Sequence, residues 1–216
     1  MKIVIFDLDN TLINGQSQQF LLSYAFKKGL IGSGSTFIIM VWFAAYRLSL
    51  INDPRHALRF AFDRLLRGRR SIDLRRLLED FYNDVLENKI NRPAADRLKR
   101  HQEQGDRIIL LSNSLKPLVD LLAEKFGITE RIATVPEEIS GVYTGRIVGR
   151  IAYGDTKLEL ARPLLEQAGL AQSVAYADHW SDLPLLLSVS EPVAVNPDKK
   201  LARFARENNW EIIASK

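Results

Sequence analysis

The fold is decided by residues 1–12, Met1-Lys2-Ile3-Val4-Ile5-Phe6-Asp7-Leu8-Asp9-Asn10-Thr11-Leu12. Ile3–Phe6 is an apolar, β-branched run, which is typical of a strand buried on both faces of a parallel sheet. The run ends at two carboxylates, Asp7 and Asp9. Because open α/β sheets bind ligands at the carboxyl ends of their central strands, we expect both side chains at the mouth of a site. Taken alone, they also fit an ordinary Asp/Asn turn after a strand.

The wider pattern favours a site. Residues 6–12, Phe-Asp-Leu-Asp-Asn-Thr-Leu, resemble motif I of the haloacid dehalogenase (HAD) superfamily of phosphatases and phosphotransferases, in which Asp-x-Asp-x-Thr follows an apolar strand. The next predicted strand of the core, 107–111, ends at Ser112-Asn113-Ser114, which resembles motif II. A hydroxyl group beside the start of a helix is suited to binding an anion, although serine is also an ordinary helix cap.

Two further motifs of the family follow in order. Lys157 falls in the first turn of a predicted helix, where motif III places the lysine that holds phosphate and nucleophile. Asp178 and Asp182 follow an apolar strand and resemble motif IV, whose acids hold magnesium. The family more often has glycine where this chain has Ala177, a change that affects the turn more than the chemistry.

The resemblance covers essentially the whole chain and implies an α/β fold. The expected architecture is a three-layer Rossmann-like parallel sheet, with an α-helical bundle cap inserted after motif I and a small β-hairpin flap at 141–150. We predict a catalytic core of residues 1–14 and 90–216 and a cap of residues 15–89. A helical cap in this position is similar to that of the phosphoserine phosphatase-like branch, subfamily IB.

The residue types explain why the motifs belong together. Three carboxylates, those of Asp7, Asp9 and Asp178, repel each other around one site unless a cation neutralises them. Oxygen ligands without histidine or cysteine favour Mg²⁺. The resemblance then implies a magnesium-dependent phosphomonoesterase that forms an aspartyl-phosphate, with a phosphotransferase as a variant of it. The implied roles are Asp7 as nucleophile, Asp9 as general acid and base, Thr11, Ser112, Asn113 and Lys157 at the phosphate, and Asp7, Asp9, Asp178 and Asp182 at the metal.

Composition bounds the remaining choices. The chain has 216 residues, no cysteine, three histidines and a formal net charge of +4, so we expect neither disulfides nor a structural zinc site. Motif I begins so early that we expect no signal peptide, and a cytoplasmic location. The expected partner is a small phosphorylated substrate and not nucleic acid; the oligomeric state stays open. A non-catalytic binding module with this fold is the alternative from another class.

Specificity is expected to lie in the cap. Phosphoserine phosphatases carry a glutamate a few residues after motif I that holds the substrate ammonium group. In this chain no acidic residue occurs from Asn10 to Asn52, and Gln16 occupies the corresponding position. We therefore expect phosphoserine not to be the preferred substrate.

One cap segment leaves a second alternative open. Residues 37–46 are ten consecutive apolar residues, too few for the about 20 that span a bilayer. Between Ile51 and Arg76 the chain has eight arginines against three aspartates. An apolar helix beside a basic surface suits an anionic membrane, where a phosphatidylglycerophosphate-like lipid phosphate would be the substrate. A helix buried at the centre of the cap is the simpler interpretation, and we favour it.

Overall fold

The structure is a computed structural model that describes residues 1–32, 34, 37, 38, 41, 55–168 and 172–215. A seven-stranded sheet with the order β4-β3-β2-β1-β5-β6-β7 forms its centre, and every strand pair is parallel except β3 with β4. The strands are β1 (Ile3–Phe6), β2 (Arg107–Leu115), β3 (Glu130–Ile139), β4 (Val142–Val148), β5 (Ser173–Ala177), β6 (Glu191–Val195) and β7 (Glu211–Ile213). The α-helices are α1 (Ser17–Lys27), α2 (Arg55–Leu66), α3 (Ser71–Phe81), α4 (Arg92–Glu103), α5 (Lys116–Phe126), α6 (Asp155–Ala168), α7 (Leu183–Leu186) and α8 (Lys199–Glu207).

Helices cover both faces of the sheet, which confirms the predicted Rossmann-like fold class. The side chains of β1 alternate between the two faces: Val4 and Phe6 belong to one apolar core, and Ile3 and Ile5 to the other. All four are buried, because α-helical layers exclude water from both sides. This double burial is why the strand reads as a continuous apolar run.

The first three helices lie between β1 and β2, as the resemblance implies for a cap. After Phe81 the chain continues as a π-helical turn over Tyr82–Leu86 and a 3₁₀ turn over Glu87–Lys89. The boundaries of cap and core at 15–89 stay a prediction. Residues 52–54, Asn-Asp-Pro, predict a helix start because asparagine and aspartate are favoured caps and proline suits the first turn, and they lie outside the described residues.

The apolar segment 37–46 is described only at Phe37, Ile38 and Val41, which are exposed by 70%, 45% and 49%. The burial of Ile39, Trp42 and Phe43, on which the prediction of a buried helix also depends, lies outside the described residues. In the part of the chain that the structure describes, we find no helix with the length and apolar character that a bilayer crossing requires.

Motif II differs from its sequence-based expectation. We expected the strand to stop at Leu111 and a helix to open directly after Ser114, but β2 continues to Leu115 and α5 begins at Lys116. The pairing with β3 shifts register between Leu111 and Leu115, and the strand resumes with Leu115 opposite Thr134. Ser112–Ser114 lie in the irregular segment of β2 between the Leu111 and Leu115 pairs, and Ser112 does not lie at a helix start.

A flap is present, but it is the antiparallel hairpin β3–β4 with its turn at Ser140 and Gly141, not a hairpin within 141–150 as predicted. The cap extends this hairpin. The Gly68 N–H donates to the Tyr143 carbonyl and the Tyr143 N–H donates to the Arg69 carbonyl, both at 2.9 Å. The Ser71 N–H donates to the Gly141 carbonyl at 2.9 Å. The connection between α2 and α3 therefore pairs with the outer edge of β4, so that cap and flap share a backbone ladder.

A glycine permits this contact. Gly145 on β4 has φ +86°, and a Cβ there would lie 2.4 Å from Asp63 Oδ1 and 3.3 Å from Asp63 Cα on α2. Gly141, in the turn of the same hairpin, has φ +79° with open space around its Cα. The two glycines share a left-handed backbone and differ in their surroundings.

We expect Gly141→Ala to lower the free energy of unfolding by about 1 kcal/mol, because alanine disfavours a left-handed backbone. Gly145→Ala should cost about 1–3 kcal/mol more, because it adds a clash between cap and flap. Urea unfolding of the two variants measures the difference. Equal losses would mean that α2 moves away from β4 without cost, contrary to the contact described here.

Candidate active site

Three buried carboxylates meet at the carboxyl edge of the two central strands. Asp7 follows β1 and Asp178 follows the neighbouring strand β5, and the Asp7 N–H donates to the Tyr176 carbonyl at 2.9 Å. Asp182 ends a 3₁₀ turn over Trp180–Asp182, which folds back toward them. One oxygen from each of Asp7, Asp178 and Asp182 lies within 4.8 Å of the others. Of the acids predicted at the metal, Asp7, Asp178 and Asp182 therefore form one cluster, and the Asp9 carboxylate is not part of it.

Lys157 joins this cluster from the first turn of α6. Its Nζ donates to Asp7 Oδ1 and to Asp182 Oδ2, both at 2.7 Å, and the side chain is buried. Burial lowers the pKa of Lys157, but Asp182 and Asp7 outweigh that effect and raise it overall. These ion pairs compensate for a cation placed at the positive end of a helix dipole.

One lysine does not balance three carboxylates. Burial raises the pKa of Asp7 to about 7 even though Lys157 lowers it, and Asp182 adds to the increase. Burial, together with Asp7 and Asp182, raises the pKa of Asp178 well above its usual range. The cluster therefore favours protonation or a second source of positive charge.

The donor set fits a divalent cation. All three residues offer carboxylate oxygens, which hard cations prefer. Asp182 Oδ1 is buried and has no hydrogen-bond partner among the described residues. An unpaired buried oxygen is costly, so a cation that contacts it would relieve both the missing interaction and the excess negative charge.

Asp9 has a separate environment at the entrance of the cap. Its Oδ1 accepts from the Ser17 backbone N–H at 2.6 Å, and its Oδ2 accepts from the Ser114 hydroxyl at 3.3 Å. Burial raises the pKa of Asp9, while the bonds from Ser17 and Ser114 oppose the increase. The carboxyl group is thus oriented by the first turn of the cap and by motif II, which suits a group that gives and takes a proton.

The predicted phosphate-binding residues surround the same region. Ser112 is buried, and its Oγ accepts from the Ser114 N–H at 3.1 Å. Asn113 Oδ1 accepts from the Gln18 side chain at 2.8 Å. Thr11 Oγ1 is buried without a partner among the described residues. Contacts of Thr11, Ser112 and Asn113 with phosphate stay predictions.

Sequence reasoning did not single out four side chains of the site, those of Asn10, Ser17, Gln18 and Ser114. The Asn10 amide donates to Asp178 Oδ2 at 2.8 Å, and the hydroxyls of Ser17 and Ser114 lie 3.1 Å apart. Gln18 Nε2 donates to Asn113 and, at 3.1 Å, to the Ser114 hydroxyl. The available signal was a pair of small polar residues in the first turn of an otherwise apolar helix face.

We expect Lys157→Met to lower the free energy of unfolding of the metal-free protein by about 3 kcal/mol, because it removes the partner of two buried carboxylates. Lys116→Met is the matched control, since Lys116 pairs with Asp120 on the surface, and it should cost less than about 1 kcal/mol. Denaturant unfolding in a metal-free buffer above neutral pH makes the comparison. Similar losses for both variants would show that the buried pairs add nothing beyond a surface pair.

Comparisons with known proteins find related sequences and folds. The chain is 33% identical to the histidinol-phosphatase of Neisseria meningitidis serogroup C over 98% of both chains, and 31% identical to phosphoserine phosphatase SerB1 of Mycobacterium tuberculosis over 96% of this chain and 68% of that protein. A solved Bordetella pertussis protein of unknown function superposes with a TM-score of 0.87 and 28% identity, covering 98% of this chain and 97% of that one. A phospho-aspartyl intermediate analogue of phosphoserine phosphatase shares the fold, with a TM-score of 0.72, 18% identity, and coverage of 100% and 93%. The family model for haloacid dehalogenase-like hydrolases matches residues 4–187, and the chain belongs to that family.

Proposed function

We propose that the protein is a magnesium-dependent phosphatase that hydrolyses a small phosphorylated metabolite through an aspartyl-phosphate. Its class, phosphoric monoester hydrolase, follows from the family and from relatives named phosphatases. The observation that carries the finer proposal is the Lys157 ammonium group bonded to Asp7 and Asp182 beside Asp178. This arrangement leaves one carboxylate, Asp7, at a strand end with a positive charge next to it.

In the proposed reaction Asp7 attacks the phosphorus atom in line with the leaving oxygen, and a P–O bond forms as the ester P–O bond breaks. Lys157 keeps Asp7 oriented and offsets negative charge that develops on the phosphoryl oxygens. Mg²⁺, held by Asp7, Asp178 and the Asp9 carbonyl with Asp182 close by, would supply further charge neutralisation.

Asp9 serves both half-reactions in this scheme. As an acid it gives its proton to the leaving alkoxide, and as a base it takes a proton from the water that attacks the aspartyl-phosphate. Its raised pKa supports the first role, and its two fixed hydrogen bonds keep it oriented for the second. Helix α1 of the cap begins eight residues later at Ser17, whose N–H binds the Asp9 carboxylate. A cap held over the site in this way would also limit access of water to the intermediate.

We expect the wild type to hydrolyse an aryl phosphate with Mg²⁺, and Asp7→Asn to reduce kcat by at least about 1,000-fold, because an amide cannot form the acyl phosphate. Asp96→Asn, an exposed aspartate on α4, is the matched control and should keep the wild-type rate. Surviving activity in Asp7→Asn would exclude Asp7 as nucleophile. Absence of hydrolysis by the wild type from mildly acid to mildly alkaline pH would favour the non-catalytic module.

The substrate class follows from the start of the cap. Relatives of this chain are named both phosphoserine phosphatase and histidinol-phosphatase. Gln16 is half-buried directly before α1, where the phosphoserine phosphatases carry the glutamate that holds the ammonium group. A neutral amide offers no charge to an ammonium group, which supports a substrate other than phosphoserine.

We expect kcat/KM for phosphoserine not to exceed that for glycerol phosphate, which carries no ammonium group. Gln16→Glu should raise the phosphoserine value about tenfold relative to glycerol phosphate, because it adds one ion pair to the ammonium group. Gln19→Glu, one helical position beyond the site-facing Ser17 and Gln18, controls for added charge. A wild-type preference for phosphoserine would contradict the proposal.

Lipid phosphate remains a second candidate because of one observation, the exposure of Phe37, Ile38 and Val41. If these residues meet a bilayer, the wild type should co-sediment with anionic liposomes at low salt, and Phe37→Ser with Val41→Ser should abolish it. Ile72→Ser, at an exposed apolar position on α3, should leave binding intact. No binding by the wild type at low salt would count against the lipid candidate.

A further inference from the structure

Asn10 connects the motif I loop to a predicted metal ligand. Its backbone is left-handed, with φ +54°, and its N–H donates to the Gly15 carbonyl at 3.0 Å. Its side-chain amide crosses to the neighbouring strand end and donates to Asp178 Oδ2 at 2.8 Å. The residue therefore combines an unfavourable backbone conformation with a hydrogen bond to a buried carboxylate.

A second left-handed asparagine holds Asn10 in place from the other side. Asn196, with φ +43°, lies at the end of β6, and its Nδ2 donates to the Asn10 carbonyl at 2.9 Å. Its Oδ1 accepts from the Ser215 N–H at 2.7 Å and from the Ser215 hydroxyl at 2.9 Å, and its own N–H donates to the Ile213 carbonyl at 2.8 Å. A continuous chain of hydrogen bonds thus runs from the end of β7 through Asn196 and Asn10 to Asp178.

The backbone conformation of Asn10 sets the terms of the argument. A left-handed backbone costs a residue with a side chain about 1 kcal/mol, and glycine adopts it freely. Asparagine tolerates the region better than most residues, but glycine would satisfy the turn with less strain. The contribution that glycine lacks at this position is the amide donor to Asp178.

The amide of Asn10 donates to a predicted metal ligand, the Asp178 carboxylate. Asp178 is buried, and its carboxylate faces two other acids, Asp7 and Asp182. The Asn10 amide engages Oδ2 of Asp178 and restricts rotation of the carboxylate about its side-chain bond. Mutation of a residue that hydrogen-bonds a metal-ligating side chain commonly lowers metal affinity by about 10- to 100-fold.

We propose that Asn10 is a positioning residue for the cation site: its amide, anchored through Asn196 to the end of β7, holds the Asp178 carboxylate in the orientation that binds a divalent cation. The inference rests on the proposed function only in requiring that the carboxylate cluster bind Mg²⁺. It does not depend on which phosphate ester is the substrate, nor on the chemistry of Asp7 and Asp9.

The substitution Asn10→Gly separates the two contributions of this residue. It removes the amide donor to the buried Asp178 oxygen and relieves the left-handed strain, so its two effects on metal-free stability oppose each other, whereas metal binding only loses a partner. Asn209→Gly is the matched control. Asn209 has φ +56° at an exposed turn before β7, distant in sequence from every member of the cluster.

Isothermal titration with Mg²⁺ alone and urea unfolding in EDTA test the proposal. We expect Asn10→Gly to raise the Mg²⁺ dissociation constant about tenfold or more while the metal-free variant still unfolds cooperatively, because the relieved strain offsets part of the lost hydrogen bond. Asn209→Gly should hold or raise metal-free stability and should leave the Mg²⁺ dissociation constant unchanged.

The other outcomes overturn the proposal in distinguishable ways. If Asn10→Gly binds Mg²⁺ as tightly as the wild type, Asn10 serves only the turn, and the proposed phosphatase mechanism is untouched. If Asn10→Gly no longer unfolds cooperatively in EDTA, the role of Asn10 is structural. If the wild type binds no Mg²⁺, the cation site itself fails, and with it both the proposed cofactor and this inference.

Discussion

The site depends on the pairing of one buried lysine with two of three buried carboxylates. Lys157 binds Asp7 and Asp182 at 2.7 Å each, and Asp178 lies beside them. With all four groups charged, the cluster carries two negative charges more than positive ones. In a buried environment such an excess is strongly unfavourable, and the pKa values of Asp7 and Asp178 are raised as a result. The same excess of negative charge is why the cluster fits a divalent cation.

The sheet topology makes this cluster unavoidable. β1 and β5 are parallel neighbours at the centre of the sheet, and their carboxyl ends bring Asp7 and Asp178 side by side. Lys157 enters from the first turn of α6, which packs on the sheet beside them. The paired strands hold Asp7 and Asp178 close together although their charges repel each other. The fold thus arranges the charges of the site before any ligand binds.

Among the polar contacts between the cap and the rest of the chain, two sets reach the site and the flap, and a third pairs Arg75 on α3 with Glu124 on α5. Ser17 and Gln18, in the first turn of α1, bind Asp9 and the motif II residues Asn113 and Ser114. The connection between α2 and α3 pairs with the edge of β4, where Gly145 lets α2 approach closely. The helix that seats the cap also orients the predicted acid and base, while the other contact joins the cap to the flap.

Sequence alone determined the strand positions, the motif residues and their order, because apolar runs and the residues that end them are local properties of the chain. It also indicated the family, because four motifs in order resemble those of the haloacid dehalogenase-like hydrolases. It was wrong about where the motif II strand ends, because β2 continues through an irregular segment at Ser112–Ser114 and pairs again with β3 at Leu115. Only the tertiary structure placed Asn10 against Asp178, Ser17 against Asp9 and the cap against the edge of β4. Asn10 and Asp178, like the cap and β4, are far apart in the sequence, and Ser17 meets Asp9 only through the path of the loop between them. Such hydrogen bonds depend on distances that no local pattern encodes.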